Sequence, residues 1–158
     1  MNHVRAWTRW TGAALLACQL GVAQAAWVYF GDVYNASNEF YDNAIQNKGT
    51  TSVIKTFSML PVPEQAPVHD PKAKVNATQL VKYRAELSSY EFNCKNKTVQ
   101  LVDRTFYADP DGKFPIVTHK AKDAFITDSN SSFSSQFLVK PVYPNNYQAV
   151  KLMGLACK

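Results

Sequence analysis

One stretch constrains this chain more than any other: Leu80–Gly112, LVKYRAELSSYEFNCKNKTVQLVDRTFYADPDG. Val81, Tyr83, Ala85 and Leu87 alternate with Lys82, Arg84, Glu86 and Ser88, the period of two that marks a half-buried strand. Tyr90, Phe92 and Cys94 then alternate with Glu91 and Asn93. Lys95-Asn96-Lys97 is a turn signal, and Thr98–Tyr107 is rich in β-branched and aromatic residues. Asp109-Pro110-Asp111-Gly112 ends the run with turn chemistry, since proline fixes φ and glycine supplies a positive φ. The stretch predicts a long β-hairpin with a cysteine at its tip.

What surrounds that hairpin depends on where the folded chain begins. Arg5 and Arg9 precede the apolar run Trp10–Val22, and Ala23-Gln24-Ala25 has the small-residue form of a cleavage site. Residues 1–25 are thus expected to be an export signal and 26–158 a single domain. A membrane anchor competes, but the run falls short of the roughly 20 residues a span needs. A second alternative is lipidation of Cys18, because Leu15-Leu16-Ala17-Cys18 has a lipobox-like form. Removing residues 1–25 takes away Arg5, Arg9 and no acid, so the formal charge falls from +5 to +3. That mild excess, with no dense basic run, argues against nucleic acid as a partner.

Export also changes the meaning of the cysteines. Two of the three remain, Cys94 and Cys157, and in an oxidising compartment an even pair reads as one disulfide. Such a bridge would close a loop of roughly 60 residues, a constraint of about 4 kcal/mol in the chain-entropy account. Two independent buried thiols are the alternative.

Along the rest of the chain, Trp27–Val33 reads as a strand with Trp27 and Tyr29 on one face and Val28 and Phe30 on the other. Asn35–Asn38 is a turn, Glu39–Ile45 a second extended piece and Gln46–Gly49 another turn. Thr51–Leu60 is a third strand. Pro61–Asn76 holds four of the eight prolines and predicts a long exposed loop. After the hairpin, Phe114–Val117 and Phe137–Val139 read as short strands, with a helical turn at Lys120–Asp123. Asn145–Ala156 has helical character, with Asn145 or Asn146 as N-cap and an apolar face at Tyr147, Val150 and Met153, widened by Leu152 and Leu155. The expected fold class is α+β: a small antiparallel sheet with a C-terminal helix packed on it and one disulfide.

The catalytic signals are weak. His69 and His119 have no sequence partners and read as solvated side chains. Asp109 and Asp111 lack the spacing of a calcium loop, and no CxxC, HExxH, GxSxG or phosphate-binding loop occurs. No enzyme, metal or cofactor is expected. Basic residues are the best binding candidates, with Lys82, Arg84 and Arg104 on one hairpin face and Lys95 and Lys97 at its tip. A strip of this kind suits sulfated glycans or acidic protein segments. An ordinary solvated strand face is the competing reading.

The order of these pieces resembles a known family. Phe40-Tyr41-Asp42, then Tyr83 and Glu86 on a strand, then Asn93-Cys94, Thr105-Phe106-Tyr107 and a late cysteine in a C-terminal helix are similar to the surface-adhesin protein E family of Gram-negative bacteria. The resemblance spans roughly Trp27 to Cys157. It implies an antiparallel sheet with a helix tied to it by a Cys–Cys bridge, and an exported protein of the periplasm or cell surface. The name-giving member binds host matrix and serum proteins, partly through this hairpin region. By position, that role would fall to Lys82, Arg84, Lys95, Lys97 and Arg104. An accessory protein of the periplasm, holding another envelope protein through an apolar edge near Trp27, is the second reading.

Overall fold

A computed structural model describes residues 26–33, 37–69, 78–123 and 134–158. Residues 1–25 with the expected export signal and Cys18, positions 34–36, the 70–76 part of the proline-rich connection, Phe125–Ile126 and most of the Ser/Asn run lie outside the described residues.

The described strands are β1 (Trp27–Val33), β2 (Ser37–Asp42), β3 (Gln46–Lys48), β4 (Thr51–His69), β5 (Thr78–Asn93), β6 (Thr98–Tyr107), β7 (Pro115–Lys120) and β8 (Lys140–Pro141). They form one sheet in the order β1-β2-β4-β5-β6-β7, with β3 added to β4 and β8 added to β6. Every pairing is antiparallel. The expected hairpin is its middle: β5 pairs with β6 from Asn93↔Thr98 back to Ala85↔Tyr107. Helix α1 (Tyr147–Ala156) lies on one face.

Side-chain alternation explains which face α1 covers. β4 and β5 pair without interruption from Thr51↔Asn93 to Met59↔Ala85, so neighbouring residues point to opposite faces. Ile54 and Phe92 are buried with Phe30 of β1 and Leu152 and Ala156 of α1. Leu101 and Phe137 extend this core beside Tyr90. Phe57 and Leu87, one step out of phase, lie on the other face, where the Trp27 ring packs on Phe57 at 5.8 Å. The sequence carries that switch: the apolar phase of β5 is odd through Leu87 and even from Tyr90, changing at Ser88-Ser89.

Several expected elements differ in the structure. Strand β4 does not stop at Leu60 but runs to His69, through Pro61, Pro63 and Pro67. Pro61 and Pro63 fall in a bulge between Met59 and Glu64, where the ladder to β5 is interrupted. Pro67 lies beyond the reach of β2, which pairs with Thr56–Met59, so among the described strands this part of β4 pairs with β5 alone. A missing N–H costs little at such positions. Gln46–Lys48 is a short strand rather than a turn, and the reversal sits at Gly49, whose φ is +69°. Residues Ser134–Phe137 form a 3-10 helix, and the nearby strand is Lys140–Pro141 rather than Phe137–Val139. His119 is buried on β7 against the Phe106 ring at 5.9 Å, not solvated.

Helix α1 begins where expected: the Asn146 side-chain oxygen accepts the Ala149 N–H at 3.0 Å. Its buried stripe matches the expected face in part: Leu152 is buried and Met153 and Leu155 pack against the core, but Tyr147 and Val150 do not join them. Tyr147 is 76% exposed and Val150 38%, whereas Leu152 and Ala156 are buried. The rotation is set at both ends. Gln148 donates to the Glu39 carboxylate at 2.7 and 2.8 Å, and Cys157 is bridged to Cys94 with a Cα–Cα distance of 5.5 Å. Gln148, Leu152 and Ala156 recur every four residues and therefore share a face. Lys151 adds a hydrogen bond to the Phe30 carbonyl at 2.7 Å while lying 4.2 Å from the Phe30 ring centre.

Replacing Cys94 and Cys157 together by serine removes a bridge across a separation of 63 residues. The expected loss is about 4 kcal/mol of unfolding free energy, read from urea denaturation. A pH effect follows from Glu39. Burial pushes its carboxyl above the ordinary 4.5, against the hydrogen bonds from Gln148 and Thr56 that pull it down. The folded state then holds this proton more tightly than the unfolded state, so the group's contribution is greatest at low pH and declines as pH rises past 4.5. Glu39→Gln should therefore gain thermal stability relative to the parent from acid to neutral pH; a constant difference between the two curves would contradict this account.

Candidate functional site

The tip of the central hairpin is held from three sides. The Asn93 side chain accepts the Asn96 N–H at 2.9 Å, and Lys97 takes a φ of +53°, closing the turn. The Cys94 N–H donates to the Thr50 carbonyl at 3.1 Å, and the Val142 N–H donates to the Lys97 carbonyl at 2.9 Å. The Cys94–Cys157 bridge supplies the third hold.

This knot gathers lysines that are far apart in the chain. Lys95 and Lys97 sit on the turn, and Lys48 pairs with Thr51 at the adjoining end of β3. Lys140 pairs with Val99 at the start of β6, and Lys158 follows the bridged Cys157. All five are exposed. The segments that carry them, 46–50, 94–97, 140–146 and 157–158, contain no aspartate or glutamate. One end of the sheet is thus a lysine pole mounted on a cross-linked frame, able to meet anionic groups without first being ordered.

Of the five expected residues, Lys95 and Lys97 belong to this pole, and Lys82, Arg84 and Arg104 do not. Lys82 is exposed and pairs with Gln65 on the far stretch of β5. Along a strand that is about 40 Å from the tip. Arg84 is half-buried and donates to the Pro61 carbonyl at 3.3 Å. Arg104 turns inward: its Nε lies 2.9 Å from the Glu86 carboxylate, and its Nη1 donates to Gln136 at 3.1 Å.

The ion pair lines a polar cavity of about 150 Å³ with Tyr83, His119 and Gln136. Burial, then the Glu86 and Glu64 charges, pushes the Tyr83 hydroxyl well above its usual range. Tyr90 is shifted the same way, by burial and then Glu86. Both phenols stay protonated, and Tyr83 donates to Glu64 at 3.3 Å. No group of three or more His, Cys, Asp or Glu side chains among the described residues is placed to hold a metal ion. None of the described helices is long and apolar enough to cross a membrane.

Sequence reasoning missed Lys48, Lys140 and Lys158. Each is an unremarkable lone lysine in the sequence, and only the β3–β4 and β6–β8 pairings and the disulfide bring them to the tip. In comparison with known proteins, a family model described as surface-adhesin protein E matches residues 27–158. No curated protein matches the chain.

The two basic groups should respond differently to substitution. Arg104→Ala leaves the half-buried Glu86 without its cation and should cost about 2 kcal/mol in urea unfolding. Lys95→Ala with Lys97→Ala should change stability by no more than about 0.5 kcal/mol.

Proposed function

Because this chain belongs to the surface-adhesin protein E family, we propose that it is an exported surface binding protein that holds acidic partners through the lysine pole at its hairpin tip. The observation that carries the reading is the convergence of Lys48, Lys95, Lys97, Lys140 and Lys158 on one bridged end with no acidic side chain in the contributing segments. Exposed lysines on a fixed frame suit sulfated glycans or acidic protein segments, and binding of that kind weakens as salt rises. Arg5 and Arg9 before an apolar run, with Ala23-Gln24-Ala25 behind it, support export. The function has no catalytic step and needs no cofactor.

A second reading, an accessory protein inside the envelope, draws on Trp27, which is 43% exposed on the outermost strand. There a protein partner would meet an apolar surface, and salt would matter little. Trypsin treatment of intact cells separates the two, since only a surface protein is cut.

Heparin chromatography tests the lysine pole directly. The protein should be retained at low ionic strength. Reversing Lys48, Lys95, Lys97 and Lys140 to glutamate should abolish retention, while Lys82→Glu should elute with the parent. Absence of retention, or a quadruple variant that elutes unchanged, overturns the reading.

A further inference from the structure

On the sheet face opposite α1, a cavity of about 270 Å³ is lined by Trp27, Phe57, Leu87, Tyr107, Asp111 and Gly112. The Trp27 and Phe57 rings are tilted by 50° and those of Phe57 and Tyr107 by 65°, with centres 5.8 and 6.2 Å apart. The three rings therefore present faces from different directions, as walls rather than a flat platform. One wall is backed by the turn between β6 and β7. A Cβ at Gly112 would lie 2.9 Å from Phe57 Cε2, and its φ of +70° also calls for glycine. Asp109 holds that turn by accepting the Phe114 N–H at 2.7 Å and the Lys113 N–H at 3.0 Å.

The rim is acidic. The Asp111 carboxylate is 59% exposed and meets Lys113 at 3.1 Å in a pair whose lysine is 70% exposed. An exposed pair of this kind is weak and opens readily. Asp103 and Asp109 also face this end: burial first, and then these two charges, raise the Tyr107 hydroxyl above its ordinary value. Lys55 lies two positions along β4 from Phe57 and Lys120 is paired with Asp103, while Arg104 of β6 is engaged by Glu86.

Ring faces are electron-rich and attract cations, and the attraction is strongest for soft, poorly hydrated ones. A purely apolar ligand gains nothing from Asp111, and an anion is repelled by it. A sugar ring would stack best on coplanar aromatics. We propose that this cavity binds a small quaternary ammonium compound of the choline class, its methyl groups against Trp27, Phe57 and Tyr107 and its charge balanced by Asp111. The site is separate from the lysine pole and needs no contribution from it.

The chain supplies its own probe. Of its three tryptophans, Trp7 and Trp10 lie in the leader, so Trp7→Phe with Trp10→Phe in the full chain leaves Trp27 as the single emitter. Choline should change Trp27 fluorescence saturably, and its uncharged tert-butyl isostere should bind about tenfold more weakly. Phe57→Leu keeps the apolar volume but removes the ring, and should weaken choline binding about tenfold. Asp111→Asn, a near-isosteric change at an exposed position, should also weaken it, while Lys113→Ala should tighten it by freeing Asp111. Phosphocholine should bind less well than choline because its phosphate meets the acidic rim. The proposal is overturned by the absence of saturation, by equal binding of the isostere, or by an Asp111→Asn variant that binds as the parent does. Tighter binding of N-acetyl-lysine methyl ester would assign the cavity to a lysine of a protein partner instead. Tighter binding of phosphocholine would assign it to a lipid headgroup, and either result also overturns the proposal.

Discussion

The Cys94–Cys157 bridge is the constraint from which the rest of the architecture follows. A ten-residue helix does not hold its shape alone in water. Here it is anchored at its last turn by sulfur and at its first by Gln148 on Glu39. Those two anchors determine its rotation, and the rotation determines that Leu152 and Ala156 cover Phe30, Ile54 and Phe92. The same bridge stiffens the hairpin tip, so the surface that carries Lys95 and Lys97 is attached to the core rather than to a free turn. Core formation and the fixing of the lysine-bearing tip thus rest on one covalent link.

The parts of this fold that sequence made visible are those governed by neighbours in the chain. Alternation across Val81–Phe92, the turn at Lys95–Lys97 and the asparagine cap before Tyr147 are local signals, and the structure contains the hairpin and the helix they imply. The pairing of the cysteines was legible because residues 26–158 hold only Cys94 and Cys157. The parts that stayed hidden are governed by neighbours in space. Whether proline is tolerated in β4 depends on where β2 ends, which no window around Pro61 reveals. The face that α1 buries depends on Glu39, over a hundred positions away. Arg104 looked like a surface charge because nothing near it in sequence shows that Glu86 lies across the ladder. The lysine pole was half visible, since two of its members share the turn and three arrive by strand pairing and the disulfide.

Polar and apolar chemistry is distributed over this sheet in an unusual way. The covered face carries a buried acid and an internal ion pair beside its apolar core: Glu39 lies against α1, and Glu86 with Arg104 lies beside Gln136 of the 3-10 helix. The open face, where antiparallel sheets commonly place polar residues, carries the aromatic group around Phe57. The change of apolar phase at Ser88-Ser89 produces this arrangement with one strand serving both faces. The charged interior makes the fold sensitive to proton uptake, whereas the open aromatic face leaves large side chains free for contacts outside the molecule.

Beyond Met59, β4 and β5 continue as a two-stranded ribbon, from Glu64↔Tyr83 to His69↔Thr78. Neither β2 nor β6 reaches it, so among the described residues no further strand pairs with either of its rims. Such rims invite a second chain to add on, the first step towards fibres. Here Pro67 brings no N–H donor to β4, while Lys82 places an exposed charge on β5. A proline that breaks the strand pattern in the sequence thereby acts as a guard against self-polymerisation on a ribbon whose Ala66 and Tyr83 still pack against the rest of the sheet.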